Sequence, residues 1–182
     1  MCVNVNPLYT ARELEHQLKD SGASAIVILE NFAHTLAEVI DHTGVQHVVM
    51  ASMGDLLGFW YGRWITFAVR HLAKMVPAYD LPLSGTRSFT TFPQALAQGA
   101  RRTLTASGAT LDDIAFLQYT GGTTGLSKGA VLTHRNIVAA TLQAEAWFTP
   151  ALAKMGDVTR ANNIAALPLY HIFALTLCLL AI

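Results

Sequence analysis

Apolar and polar positions alternate along this chain with two periods. In "TARELEHQLKDSG", Leu14 and Leu18 share one helical face; Thr10 stands as N-cap with Glu13 three residues on, and Gly22 can end the helix. "ASAIVIL", Ala23 to Leu29, is a short apolar run of buried-strand type. "NFAHTLAEVIDHTG" predicts a second helix closed by Gly44, and "VQHVVMA" a second strand. Both strand runs are apolar on both faces, which predicts burial on both. Strands alternating with helices point to an α/β fold with mixed sheets covered by helices.

Leu56 to Pro77, "LLGFWYGRWITFAVRHLAKMVP", has a different character. Arg63, Arg70 and Lys74 fall on one side of a helical projection, Trp60, Trp64, Phe67, Leu72 and Met75 populate the remainder, and no acid occurs. Such a helix can lie in a membrane interface, but the plainer reading is a surface helix packed on its own protein or on sequence outside this chain. "YDLPLSGTRSFTTFP" is punctuated by Pro82, Gly85 and Pro93 and reads as a loop. Thr91 then caps a helix across "FPQALAQGARR", with Pro93 in its first turn. A strand follows from Ile114 to Thr120. Beyond a glycine-rich loop come a second strand, "GAVLTH", and a helix over "RNIVAATLQAEAWF" capped by His134, Thr133 or Asn136. Ile164 to Ile182, "IAALPLYHIFALTLCLLAI", has the length and apolarity of a membrane span. Pro168, Tyr170 and His171 in its first half and the absence of flanking charge favour a buried strand turning into a buried helix.

Composition narrows the function. Lys+Arg and Asp+Glu are 12 each, so the net charge is zero with histidine neutral and a nucleic-acid partner is not expected. Charged residues are only 13% of the chain, about half the usual share, so its surface calls for a cover: the rest of a protein, a partner or a membrane. Cys2 and Cys178 lie at opposite ends without paired spacing, which fits a reducing compartment and argues against a disulfide scaffold or zinc ribbon. The seven histidines are scattered, and no metal ligands are assigned. The opening residues lack the basic start and apolar core of a secretory signal.

The loop between the two later strands concentrates the chemistry. "YTGGTTGLSKG" supplies glycine amides that can approach an anion, hydroxyl donors and one lysine in a charge-poor chain. The Walker A pattern fails, because Ser127 precedes Lys128 and Gly129 follows it. The dinucleotide pattern fails too, because Gly121, Gly122 and Gly125 have the wrong spacing. Both templates also require strand, loop and helix, whereas this loop joins strand to strand. A plain Gly/Ser hairpin would account for Gly121 and Gly122, but not for the run of donors and Lys128.

This stretch resembles the phosphate-binding signature of the adenylate-forming (AMP-binding) superfamily, which includes acyl-CoA synthetases, luciferase-like enzymes and peptide-synthetase adenylation domains. Thr120, Gly122, Thr123, Thr124, Gly125, Lys128 and Gly129 stand where that pattern expects them. Gly121 replaces a usual serine and Ser127 a usual proline; the doubled glycine is similar to the variant of bacterial long-chain-fatty-acid–CoA ligases. "VNVNPLYTARELEHQLKDSGA", "LTHRN" and "ALPLYHIFAL" extend the likeness across nearly the whole chain.

The resemblance implies ATP-dependent activation of a long-chain fatty acid to acyl-adenylate and then to acyl-CoA. It assigns ATP to Tyr119, Thr120, Gly121, Gly122, Thr123, Thr124, Gly125, Ser127, Lys128 and Gly129, with Lys128 and Thr123 catalytic, and the acyl substrate to Tyr170 and His171. It implies Mg2+ with ligands outside this chain, coenzyme A as co-substrate, and a cytoplasmic enzyme with peripheral contact to the inner membrane as a variant. Residues 1–182 are then expected to be part of the large N-terminal domain, with the phosphate-loop hairpin near 114–133 and the C-terminal domain absent. Such a piece is expected to be inactive alone. Alternatives are a noncatalytic nucleotide-binding module of ligase fold, a ligase for shorter or aromatic acids, and a small membrane protein using 56–77 and 164–182.

Overall fold

A computed structural model describes residues 1–82, 87–120, 127–154, 156 and 166–176. In chain order the strands and helices are β1 Cys2–Asn4, α1 Ala11–Asp20, β2 Ala25–Leu29, α2 Ala33–Val39, β3 His47–Ala51, α3 Phe59–Phe67, β4 Ser88–Thr91, α4 Phe92–Gly99, β5 Ile114–Thr120, β6 Lys128–Thr133, α5 His134–Ala153 and α6 Ile172–Ala174. The chain divides into two compact units, Pro7–Ala106 and a second made of Met1–Asn6 with Ser107–Ile182.

The first unit is a parallel sheet in the order β2-β3-β4, with Ala25 opposite His47 and His47 opposite Ser88. Helix α1 begins as its sequence dictates. The Thr10 hydroxyl accepts from the Glu13 amide, while the Glu13 carboxylate accepts from the Thr10 amide at 2.9 Å. Gly22, at φ +62°, takes the left-handed position after its last turn. Leu14, Leu18, Leu36, Ile40, Val45 and Val48 form the core between these helices and the sheet.

Three expectations are corrected in this unit. Val27 is 66% exposed, so β2 buries one face rather than two. Residues 88–91 form β4 instead of a loop, because Ser88–Thr91 pairs with the open edge of β3 beyond the Pro/Gly punctuation. The helix over 56–77 is shorter than its pattern. Helix α3 passes into a π-helical turn over Ala68–Leu72, and Lys74 lies beyond it at φ +52°. Arg70 leaves the expected basic side and donates from Nε to the buried Glu30 carboxylate at 2.7 Å. That ion pair holds the Arg70 guanidinium pKa above its usual value.

The second unit is a mixed sheet in the order β1-β5-β6, β1 parallel and β6 antiparallel to β5. Of the three candidate caps for α5, Thr133 is the one used. Its hydroxyl accepts from the Asn136 amide at 3.3 Å, and the Asn136 side chain accepts from the Thr133 amide at 2.9 Å. Of the expected apolar run 164–182, residues 166–176 are described; within it, Leu167 and Leu169 are exposed and Ala174, Leu175 and Thr176 buried. Among the described residues no helix is long and apolar enough to cross a membrane.

Candidate phosphate-binding site

Antiparallel pairing of β5 and β6 sets Thr120 opposite Lys128, Tyr119 opposite Gly129 and Gln118 opposite Ala130. The two ends of the glycine-rich loop are thereby brought together, since directly opposed residues carry side chains about 5 Å apart. Thr120 and Lys128 are both exposed at that mouth, one offering a hydroxyl and the other an ammonium. Ser127 precedes Lys128. Gly121, Gly122, Thr123, Thr124 and Gly125 lie outside the described residues.

Behind the mouth the pairing is closed by an aromatic side chain. Tyr119 is 6% exposed, and its ring lies across the backbone of Gly129: a Cβ placed there would sit 3.0 Å from Cε2 and Cζ. A side chain at Gly129 would need the Tyr119 ring to give way by a few tenths of an ångström, so a close approach rather than its φ favours glycine here. Its described geometry gives it a packing role beneath Tyr119, besides the phosphate role expected of it.

Gln118, which the loop motif does not include, joins three segments. Its Nε2 donates to the Tyr170 carbonyl at 3.1 Å, and its Oε1 accepts from Asn4 Nδ2 at 3.4 Å. The side chain is 8% exposed. The signal was present as a polar residue inside each of two apolar strands, Asn4 in "CVNVN" and Gln118 in "IAFLQYT". These bonds fasten the Tyr170–His171 segment to the strand that carries Tyr119 and Thr120.

His171 is exposed, so a core role is excluded. Its Nδ1 accepts from the Phe173 amide at 3.3 Å and caps α6; in the neutral ring the proton accordingly resides on Nε2. Tyr170 is half-buried. The site therefore combines exposed donors on a hairpin with a polar-tethered aromatic segment in the same unit. Its donor set suits phosphate oxygens. Mg2+ prefers carboxylate and water oxygens, and among the described residues no three His, Cys, Asp or Glu gather to hold a metal.

Solved structures of adenylate-forming enzymes share this fold. The A domain of carboxylic acid reductase from Segniliparus rugosus, solved with AMP and a co-purified carboxylic acid, matches it with a TM-score of 0.61 at 16% identity, over 96% of this chain and 26% of that one. A family profile described as AMP-binding enzyme matches residues 1–182, and the chain belongs to that family. It is 52% identical over 181 residues to a long-chain-fatty-acid–CoA ligase of Escherichia coli O157:H7 and 50% identical to one of Salmonella typhimurium, in each case 99% of this chain and 31% of the relative. The chain therefore spans about 31% of the length of the curated relatives it matches.

Proposed function

We propose that this chain is the phosphate-binding part of a long-chain-fatty-acid–CoA ligase. The carboxylate attacks the α-phosphorus of ATP, forming acyl-adenylate and releasing pyrophosphate; the thiol of coenzyme A then takes the acyl group and AMP leaves. The observation that carries this reading is the likeness to long-chain ligases along nearly the whole chain, in a molecule whose hairpin mouth pairs Thr120 with Lys128.

In this reading the hairpin grips the β- and γ-phosphates. Lys128 offsets the charge that gathers on the departing pyrophosphate, and Thr120, Thr123, Thr124 and Ser127 donate hydroxyl hydrogen bonds. The amides of Gly121, Gly122 and Gly125 complete the cradle, while Gly129 and Tyr119 hold its base. Tyr170 and His171 border the acyl group. Mg2+, when bound, would shield the phosphate charge through ligands other than these residues. The remaining length of the protein would supply the adenine and ribose contacts and the C-terminal domain. A cytoplasmic enzyme making peripheral contact with the inner membrane completes the proposal, because its acid substrate partitions into lipid.

Exchange of pyrophosphate into ATP by the full-length protein tests this. Exchange should require a fatty acid and rise with chain length into the long-chain range. Exchange supported only by short or aromatic acids would move the substrate class, and nucleotide binding without exchange for any acid would replace the ligase with a noncatalytic module.

A further inference from the structure

Trp60, Trp64 and Phe67 of α3 are 82%, 62% and 54% exposed. At about 100° per residue they fall within roughly 40° of the direction opposite Gly62. Gly62 is buried against Gly54. A Cβ on Gly62 would stand 2.2 Å from the Gly54 carbonyl oxygen, and one on Gly54 would stand 2.0 Å from that of Gly62. Only glycine at both positions permits this seam, which fixes the rotation of α3 and keeps the aromatic side facing outward. About two turns beyond Gly62, the Arg70–Glu30 pair anchors the π-helical segment.

The chemistry of the outward side selects its partner. It carries aromatic rings, which bilayers accept at headgroup level, and Leu56–Pro77 contains no acid. Arg63 rests over the Phe59 ring at 5.4 Å and is exposed, as are His71 and Lys74. An open groove of about 740 Å³ flanks this side along the Gly54–Gly62 seam, with Phe59, Arg63, Phe67 and Arg70 among its lining and Asp55 as its acid. Protein interfaces deplete charge at their centres, whereas an anionic bilayer matches cations set beside rings.

We propose that Phe59–Met75 is a docking surface for an anionic phospholipid bilayer. Trp60, Trp64 and Phe67 enter the headgroup boundary, and Arg63 and Lys74 meet lipid phosphates. This deepens the peripheral-contact part of the functional proposal; docking needs neither ATP nor acid, so its test stands apart from that of the ligase.

The test uses the full-length protein with vesicles of phosphatidylglycerol mixed into phosphatidylcholine, and with phosphatidylcholine alone. Hydroxyl-radical footprinting should oxidise Trp60 and Trp64 in the lipid-free protein, with protection appearing on the anionic vesicles only. In sedimentation, W60S/W64S should lower vesicle partitioning about tenfold or more, and R63E about tenfold, with lipid-free pyrophosphate exchange unchanged as the control for folding. Protection of both tryptophans without lipid would mean that another part of the protein covers this face and would overturn the proposal. Partitioning that is unaltered in both variants, or equal on the two vesicle types, would overturn it as well.

Discussion

The side-chain amide of Gln118 donates to the backbone carbonyl of Tyr170 across 3.1 Å, binding a residue of the central strand to a segment 52 residues further along. Because Gln118 is followed directly by Tyr119 and Thr120, the bond places the aromatic segment and the loop mouth on one rigid support.

Replacing Gln118 by Leu should leave that carbonyl without its donor and cost about 1–3 kcal/mol of stability, read from urea unfolding. If the full-length protein is the proposed ligase, its acid KM should rise more than its ATP KM, and Gln118→Asn should restore part of the difference. Equal changes in both constants would reduce Gln118 to a structural residue.

Gly129→Ala brings a methyl to 3.0 Å from the Tyr119 ring, which must shift by a few tenths of an ångström to admit it. Overpacking of this kind commonly costs about 1–3 kcal/mol. A second substitution, Tyr119→Leu, should recover some of the lost thermal stability. Additive losses in the double variant would show that the ring contact is not the reason for glycine here.

Lys128 is exposed, so Lys128→Ala should change unfolding free energy by less than about 0.5 kcal/mol. Pyrophosphate exchange should fall by about 10²–10³, the usual loss for one donor of an anion site. An unchanged exchange rate removes Lys128 from the chemistry.

Glu13 tests the α1 cap by pH. The Thr10 amide, then the Thr10 hydroxyl, hold its carboxyl below the usual carboxylate range. A depressed folded pKa means stability that is present above the ordinary glutamate value, about 4.3, and is lost as pH falls through the lower folded value. Urea midpoints of the wild type and Glu13→Gln should therefore differ at pH 7 and converge under acid. A gap that stays constant to acid pH would exclude the carboxylate as its source.

Local rules made much of this fold legible. The Thr10–Glu13 box, the left-handed Gly22 and the helix start at Thr91 depend on residues within a few positions of one another, so their chemistry is complete in the sequence. The same holds for the strand–loop–strand reading, since the failed helix-linked templates and the apolar flanks of the loop are local patterns.

Residues distant in sequence decided the rest. Ser88–Thr91 became a strand because β3 offered an open edge, which no local propensity records. Val27 stayed exposed because a single face of β2 meets the helices. Arg70 turned from the expected basic stripe to Glu30, since a buried carboxylate attracts a guanidinium more strongly than a helical projection can display.

The sequence by itself determined the family, the caps of α1 and α4 and the strand–loop–strand pattern, because each is written in residue types and their spacing along the chain. Only the tertiary structure decided that Gly129 lies under Tyr119, that Gly54 and Gly62 meet backbone to backbone, and that Gln118 carries Tyr170. Those relationships are distances between segments, and they exist only once packing has brought the segments together.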